Sequence, residues 1–367
     1  MTNEKIRVAL IVPGGIATGK DNIGVPVLER LVRLLSIQFE VTVFSLFRTN
    51  DDFVANTFEL VDVSGNGSLS KFKKCSDAFR NRHHKKPYQV VHGFWAMPSG
   101  FLAVLISKRY GIKSIVSVLG GDAISLPEIN YGQLQRWLPR KLIVWTLANA
   151  SEVTTLTKYL WDNLLNVGLG KRKVNVIPWG IDVSQFSYST KNIGSPVRFL
   201  HVANLHPVKD QFTLLRAFKL ISESSNATLK IIGEGVLSAE VRKLTTELNL
   251  DNKVSFVDPM PYEKLAEHYA IADILLHTSL SEGQSEVVTE AMSSGVVVCG
   301  TAVGLMYDKP EICVGVNVGD YESLAMKVLQ LLKDTQRMNQ LKKEAHIWAM
   351  EHDIDWTTKM YAALYQP

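Results

Sequence analysis

The sequence has few cysteines and no long apolar run. Its 367 residues include three cysteines, Cys75, Cys299 and Cys313, too far apart for a disulfide framework or a metal-binding motif. We therefore expect a reducing, cytoplasmic environment and no bound metal. No stretch approaches the roughly 20 apolar residues of a membrane-spanning helix. The opening "MTNEKIRVALIVPGG" contains a short apolar run that ends at Pro-Gly-Gly, which predicts a buried strand rather than a signal peptide.

The sequence also lacks the glycine fingerprints of common nucleotide-binding loops. "VPGGIATGKDNIG" follows the first apolar run, but it matches neither GxGxxG nor GxxxxGK[ST]. This argues against a dinucleotide-dependent dehydrogenase, although two doubly wound domains would suit one. Gly14 and Gly15 still allow a ligand to approach the backbone closely, and a simple turn is the alternative.

Charge is distributed unevenly along the chain. The net charge is +4, but residues 1–190 hold 23 Lys+Arg against 14 Asp+Glu, and residues 191–367 hold 17 against 22. Two segments of the first half are rich in cations, "KFKKCSDAFRNRHHKK" and "QLQRWLPRKLIVWTLANA". The second segment also carries tryptophans, so a peripheral contact with an anionic membrane is one interpretation. A solvated basic face or attraction to an acidic glycan is the other.

Short β-rich runs alternate with helical stretches along the whole sequence. The first series runs from "IRVALIVP" to "KVNVIP", and the second from "VRFLHVAN" to "VVVCG". Continuous apolar strands between helices indicate parallel sheets covered on both faces. The pattern predicts two doubly wound α/β domains with a boundary in "SQFSYSTKNIGSPVR". The polar stretch "NGSLSKFKKCSDAFRNRHHKKP" is predicted to be a surface excursion.

The stretch "SEGQSEVVTEAMSSG" follows a predicted strand that ends near His277. Ser285 is a plausible helix N-cap and Gly295 a plausible residue after the helix. Glu282 would then precede the helix, and Glu290 would lie in its second turn. Acids beside backbone N–H groups near Gly283 and Gln284 suit a polyhydroxylated ligand such as a sugar or ribose. The alternative is that the acids simply complement the helix dipole.

Three further residues lie where ligands bind in open α/β sheets, after the carboxyl ends of strands. Lys209 stands at a helix start, where the dipole disfavours a cation unless a phosphate shares the site. His92 and Asp122 follow or end other strands. For each of the three a structural role is the alternative: a surface lysine, a hydrogen-bonded core histidine and a turn or cap aspartate.

Together these segments resemble the retaining glycosyltransferases often called family 4, which have the GT-B fold. The resemblance rests on "KVNVIPWGIDVSQF", on "FLHVANLHPVKDQFTLLRAF", and on "SEGQSEVVTEAMSSGVVVCGT" with its two glutamates separated by seven residues. The tail "DIDWTTKMYAALY" resembles the family's crossing helix. The resemblance implies two facing Rossmann-like domains, an acceptor domain over residues 1–188 and a donor domain over 189–350. Residues 351–367 would pack back on the first domain.

The resemblance also implies roles for the candidate residues. Lys209 would neutralise the departing diphosphate, Glu282 would contact the donor sugar, and Glu290 would bind the ribose. The donor region would include Gly283, Gln284, Ser285, Asn204, Gly14 and Gly15, and His92 and Asp122 would lie on the acceptor side. The chemistry would need no metal and no cofactor beyond the nucleotide sugar, with UDP expected before GDP. The acceptor would be a glycan or a lipid-linked glycan of cell-surface polysaccharide synthesis.

Two positions depart from the family pattern. Asn204 stands where the family often has Arg, which reduces a pair of cations to Lys209 alone. Leu119 stands where the family often has a histidine before an acid, which weakens the acceptor-side assignment. A GT-B epimerase and a weakly active nucleotide-sugar-binding protein are therefore the alternative functions.

Overall fold

The computed structural model describes residues 4–17, 25–50, 52–170, 172–188 and 194–366. The chain divides into two compact units. The first comprises Met1–Trp179 together with Ile354–Pro367, and the second comprises Gly180–Asp353. The first unit therefore consists of two separate stretches of sequence, whereas the second is continuous.

The described part of the first unit contains a seven-stranded parallel sheet with helices between its strands. The strands are β1 (Arg7–Val12), β2 (Glu40–Ser45), β3 (Glu59–Asp62), β4 (Val90–Phe94), β5 (Lys113–Val118), β6 (Glu152–Thr155) and β7 (Asn175–Val176). The helices are α1 (Pro26–Gln38), α2 (Ser68–Lys85), α3 (Phe101–Tyr110), α4 (Trp137–Asn149) and α5 (Lys158–Leu165). The spatial order is β3-β2-β1-β4-β5-β6-β7, so the order reverses between β1 and β4.

The second unit repeats this plan with a six-stranded parallel sheet in the described residues. Its strands are β8 (Val197–Val202), β9 (Ala227–Ile232), β10 (Val254–Val257), β11 (Ile274–His277), β12 (Val297–Thr301) and β13 (Val314–Val316). Its helices are α6 (Gln211–Ser224), α7 (Ser238–Glu247), α8 (Tyr262–Ile271), α9 (Glu286–Ser293), α10 (Leu305–Asp308), α11 (Tyr321–Leu332) and α12 (Thr335–Glu351). The order β10-β9-β8-β11-β12-β13 reverses between β8 and β11.

The last helix, α13 (Ile354–Tyr365), completes the first unit. Tyr361 and Tyr365 are at most 1% exposed. The Tyr361 hydroxyl accepts a hydrogen bond from Trp179 Nε1 at 3.1 Å and lies 3.3 Å from Ser117 Oγ. Tyr365 packs edge-on against Phe39 at the end of α1, with ring centroids 5.2 Å apart. Buried aromatic residues thus hold α13 against a sheet whose strands all lie in the first half of the sequence.

The fold confirms the prediction of two Rossmann-like α/β domains with a crossing C-terminal helix. The polar segment expected as a surface excursion is instead the regular helix α2. Its Cys75 and Phe79 are fully buried against the first sheet, because they lie four positions apart and so face the same side of a helix. No helix in the described residues has the length and apolar character that crossing a membrane requires.

Candidate active site

The loops after β8 and β11 meet at the point where the strand order of the second sheet reverses. In open α/β sheets the crevice beyond the carboxyl ends of the strands at such a point is the usual ligand site. The loop after β8 carries Asn204 and Lys209, and the loop after β11 carries Glu282. The two loops are hydrogen-bonded together: Leu280 N donates to Val208 O at 2.8 Å, and Thr278 Oγ1 donates to Asp210 O at 2.9 Å.

Glu282 is held by three donors on one carboxylate oxygen. Lys209 Nζ donates to Oε1 at 2.5 Å and Ser279 Oγ donates to the same atom at 2.6 Å. His277 Nε2 lies 3.4 Å from it. The side chain of Glu282 is 11% exposed, and that of Lys209 is 25% exposed. The structure therefore brings together Lys209 and Glu282, two residues predicted separately, and fixes the carboxylate orientation through Oε1.

Glu282 is ionised in this setting. Burial alone would raise the pKa of its carboxyl, but the Lys209 ammonium and the hydrogen bond from His277 outweigh burial and hold the pKa far below its usual value. An ionised, partly buried carboxylate beside a lysine is a strong acceptor for hydroxyl groups. The pair can bind a polar, hydroxyl-bearing ligand at one end and an anion at the Lys209 end.

Lys209 ends a short 3-10 helix, Pro207–Lys209, rather than beginning α6. Asp210 follows in the left-handed region at φ 44° and caps α6 by accepting from Thr213 N at 3.2 Å. The acidic residue that stabilises the N-terminus of α6 is thus Asp210, and the side chain of Lys209 reaches the loop after β11 instead. This explains how a cation is tolerated beside a helix start before any phosphate binds.

Ser285 occupies the N-cap position of α9, as predicted, but its side chain makes no capping hydrogen bond. Its φ is +81°, a backbone conformation that side-chain-bearing residues rarely adopt and that is often found at functional sites. Gln284 Nε2 donates to Thr289 Oγ1 at 3.2 Å, and Gln284 O accepts from Leu305 N. Gly283 lies between Glu282 and Gln284 in the same loop. The helix ends as predicted, with Gly295 at φ +71°.

Glu290 lies in the second turn of α9 and is 2% exposed. Tyr269 Oη donates to its Oε2 at 2.6 Å. Burial raises the pKa of Glu290 to about 7, although hydrogen bonds from Tyr269 and Tyr262 oppose the shift. Burial and the nearby Glu290 raise the pKa of Glu286 to about 8. Burial is the main cause of both raised pKa values, and repulsion from Glu290 adds to the shift of Glu286, so both acids retain protons near neutral pH.

Asn204 is exposed at the carboxyl end of β8, and its carbonyl accepts from Gln211 Nε2 at 3.1 Å. Gln211 also contacts His201 Nε2 at 3.3 Å, and His201 Nδ1 lies 2.8 Å from Leu276 O. Burial lowers the pKa of His201 to about 4, so the imidazole is neutral. Its Nδ1 donates to the carbonyl and its Nε2 accepts from Gln211, which orders the loop that carries Asn204.

The remaining candidates lie in the first unit. Gly14 and Gly15 follow β1; Gly15 has φ +96° and its carbonyl accepts from Val25 N at 2.7 Å. His92 lies within β4 and is fully buried, with Nδ1 2.8 Å from Tyr365 Oη and Nε2 2.7 Å from Ser117 Oγ. Burial lowers its pKa to about 3. Both ring nitrogens are engaged, which matches the alternative of a hydrogen-bonded core histidine.

Asp122 is 1% exposed, and its partners among the described residues are backbone amides. Its Oδ2 accepts from Ala96 N at 2.7 Å, and its Oδ1 accepts from Gly120 N at 2.9 Å and Leu119 N at 3.2 Å. Burial raises its pKa despite these bonds. Asp122 thus ties the loop after β5 to the loop after β4, the turn role left open by the sequence.

Sequence reasoning missed the residues that support Glu282 and Glu290. β11 ends at His277, and Ser279 follows two residues later. Tyr262 and Tyr269 lie on α8, the helix that precedes β11. The signal for Ser279 was a hydroxyl three residues before Glu282, on a loop that must turn back. The tyrosines gave no local signal, because they meet Glu290 only through tertiary packing.

Both halves of the chain match models of known families. Residues 25–180 match the glycosyl transferase 4-like domain, and residues 187–348 match glycosyl transferases group 1. Together the two matches cover most of the first unit and nearly all of the second.

Curated relatives are distant. The N-acetyl-alpha-D-glucosaminyl L-malate synthase of Bacillus anthracis is 25% identical over 67% of this chain and 66% of its own length. The D-inositol 3-phosphate glycosyltransferase of Corynebacterium diphtheriae is 24% identical over 79% of this chain and 70% of its own. The amylovoran biosynthesis glycosyltransferase AmsK of Erwinia amylovora is 28% identical over 59% of this chain and 54% of its own length.

Solved structures share the whole fold. Sucrose-phosphate synthase from Thermosynechococcus elongatus superposes with a TM-score of 0.81 at 19% identity, covering 98% of both chains. The Anabaena HepE protein in complex with UDP and glucose superposes with a TM-score of 0.75 at 18% identity, covering 98% of this chain and 99% of that one.

Proposed function

Because the chain belongs to the group 1 glycosyltransferases of GT-B fold, we propose that it transfers a sugar from a nucleotide diphosphate sugar to a glycan or lipid-linked glycan, with retention of anomeric configuration. The observation that carries the proposal is the ion pair of Lys209 and Glu282 at the reversal point of the second sheet. The fold alone would not support a specific reaction.

The proposed step breaks the bond between the anomeric carbon and the diphosphate. Negative charge grows on the departing phosphate, and Lys209 supplies a cation to meet it. The electron pair of the broken bond leaves with the nucleotide diphosphate. The acceptor hydroxyl then bonds to the anomeric carbon on the face that the diphosphate vacated, and its proton passes to the departing phosphate. Lys209 stabilises the transition state more than the bound donor, because the charge that it meets develops during the step.

The glutamates act on the donor's hydroxyl groups in this proposal. Glu282 receives three donors on Oε1, so its Oε2 is the atom we assign to a hydroxyl of the donor sugar. Glu290 binds the ribose hydroxyls, and Tyr269 fixes its carboxylate. Gly283, Gln284 and Ser285 lie beside the donor. We propose that no metal is needed, since Lys209 and the first-turn amides of α9 supply the positive charge.

UDP is the proposed nucleotide, and cell-surface polysaccharide synthesis is the proposed setting. The supporting observations are the UDP named in the HepE complex and the polysaccharide named for the amylovoran enzyme. The exposed Asn204 favours a second candidate, a weakly active nucleotide-sugar-binding protein, because this neutral residue stands where the family often has Arg. A GT-B epimerase differs in releasing UDP without an acceptor.

The test begins with a thermal-shift screen of UDP, GDP and their sugars. A ligand present at 100 times its dissociation constant adds about 2.7 kcal/mol to the free energy of unfolding. Nucleotide release is then measured with each stabilising sugar, with and without added glycan acceptor, before and after EDTA treatment. Acceptor-dependent release that survives EDTA supports the proposal. Release without any acceptor supports the epimerase, and binding without release supports the binding protein.

A further inference from the structure

Two helices of the first unit begin with cations. Lys71, Lys73 and Lys74 lie in the first two turns of α2, and Arg136, Arg140 and Lys141 stand at and just after the start of α4. Neither helix has an acidic residue in its first turn. A helix N-terminus favours anions, so helix stability does not account for these cations.

The structure separates the cations of α2 into two groups. Both arginines of its later turns are paired with acids: Arg80 binds Asp77 and Arg82 binds Glu59, both at 2.8 Å, while Lys85 at the last position is exposed. Among the residues that the structure describes, no ion pair includes Lys71, Lys73 or Lys74. Lys74 Nζ donates to the Ser64 carbonyl at 2.5 Å, which leaves its charge uncompensated. Uncompensated charge is therefore concentrated at the beginning of the helix.

Large apolar side chains are exposed beside these cations. Leu69 is 86% exposed, Trp137 68%, Leu138 55% and Phe47 54%. Lys71 Nζ lies 4.3 Å from the centroid of the Phe47 ring, and Lys141 Nζ lies 4.4 Å from that of Trp137. Each exposed ring thus has a lysine over its face, an arrangement that presents apolar and cationic groups together.

The helices that carry the two groups are linked through α3. Phe72 of α2 contacts Phe101 at the start of α3, with centroids 6.1 Å apart, and Phe101 contacts Trp145 of α4 at 5.5 Å. The three helices are therefore neighbours, and each begins beyond the carboxyl end of a strand. We name this surface the basic edge; it comprises Phe47, Leu69, Lys71, Lys73, Lys74, Arg136, Trp137, Leu138, Arg140 and Lys141.

We propose that the basic edge docks on the anionic headgroups of a lipid bilayer, without inserting a helix. Cations alone would suit any polyanion, but exposed leucine, phenylalanine and tryptophan side chains have no role against a soluble one. A bilayer surface offers phosphate to the lysines and an apolar boundary to Trp137, Leu138 and Leu69. The proposal does not depend on the transferase activity, and binding is tested without donor or acceptor.

The experiment is co-sedimentation of the full chain with vesicles of phosphatidylcholine, with and without phosphatidylglycerol, at low and at high salt. The protein is expected to pellet only with anionic vesicles and only at low salt, because salt screens exposed charges. The combined change Lys71→Glu, Lys73→Glu and Lys74→Glu should lower the partition constant at least a hundredfold. Trp137→Ala alone should lower it severalfold.

The matched control makes the same charge change on the second unit, at Lys264, Lys333 and Lys343, which are all exposed. It should keep most of the binding, and circular dichroism confirms that both triple variants fold. Three results would overturn the proposal: no pelleting of the unaltered protein at low salt, equal loss in the control, or full retention of binding by Trp137→Ala with equal affinity for soluble polyphosphate.

Discussion

Lys209 and Glu282 depend on each other, since each neutralises the other in a partly buried site. Lys209→Ala should lower kcat/KM at least a hundredfold, about 2.7 kcal/mol in transition-state stabilisation, because no other side chain cation was predicted for the diphosphate. Steady-state kinetics with the donor identified by thermal shift measure the effect. Lys219→Ala is the control, since Lys219 pairs with Glu223 on the surface of α6.

Lys209→Ala also leaves the Glu282 carboxylate without its cation. A second variant separates this loss of stability from the loss of a catalytic cation. If Lys209 serves only to neutralise the carboxylate, the double variant Lys209→Ala with Glu282→Gln should have the unfolding free energy and the rate of Glu282→Gln alone. If Lys209 meets the leaving phosphate, the double variant should match Glu282→Gln in stability but be much slower than it. Activity of Lys209→Ala at the unaltered rate would contradict a catalytic role altogether.

Glu290 offers a separate test of donor binding. At pH 8.5, above the raised pKa of about 7, Glu290→Gln should weaken binding of the nucleoside diphosphate about 10- to 100-fold, the range for a charged hydrogen bond that is lost. Tyr269→Phe should weaken it less, because the carboxylate remains and only its orientation is freed. Isothermal titration calorimetry measures both, and unchanged affinity in Glu290→Gln would remove this glutamate from the site.

At the scale of single elements, α9 carries two acids whose pKa values are raised, to about 8 for Glu286 and about 7 for Glu290. Below about pH 4.5 both are protonated in the folded and unfolded states. As pH rises toward 8 the unfolded chain releases protons first, so folded-state stability falls through this window. Glu286→Gln should reduce the fall between pH 5.5 and pH 8.5 by on the order of 2 kcal/mol.

Urea unfolding at several pH values measures that slope. Glu263→Gln on α8 is the matched control, since Glu263 is exposed and should leave the slope unchanged. Glu282 acts in the opposite direction: its lowered pKa stabilises the protein above about pH 4.5, and this contribution is lost at lower pH. A Glu286→Gln variant with the slope of the unaltered protein would mean that Glu286 is ionised throughout.

β12 approaches β11 so closely that only glycine fits at one position. A Cβ on Gly300 would lie 1.7 Å from the carbonyl oxygen of His277, the residue that ends β11. Gly300→Ala should therefore separate the strands and reduce the unfolding free energy by about 3 kcal/mol. Thermal unfolding checks this against Gly194→Ala, where a Cβ meets open space. Equal stability of the two variants would contradict the close packing.

The sequence predicted the elements whose pattern is local, and it missed those whose stability comes from neighbours. β3 and β13 went unrecognised, since "ELVD" is half exposed and "VGV" is three residues long. Lys209 and Glu282 were predicted because loops after parallel strands converge. Their support from His277 and Ser279 could not be predicted, because it depends on which way a loop folds back. His92 was placed at a strand end, but it lies inside β4 under α13.

At the scale of the whole molecule, α13 belongs to the first unit although the whole second unit separates it from β7 in the sequence. Removal of residues 354–367 would uncover His92 and leave Trp179 Nε1 without the Tyr361 hydroxyl. Hydrogen exchange should then show lost protection in β4 and β5, while β8 and β11 keep theirs. Tyr361→Phe removes only the hydroxyl group and should reduce the free energy of unfolding by about 1 kcal/mol. Unchanged protection in β4 after truncation would show that α13 is dispensable.

The divided construction of the first unit has a consequence for how the protein is made. Translation supplies the strands β1 to β7 first, but the helix that covers part of their sheet is encoded only after the whole second unit. The first unit therefore cannot be completed until the second unit has been synthesised, although N-terminal domains usually fold first. The nascent chain must carry an incompletely covered sheet until α13 has been synthesised, a period in which chaperone binding would be most useful.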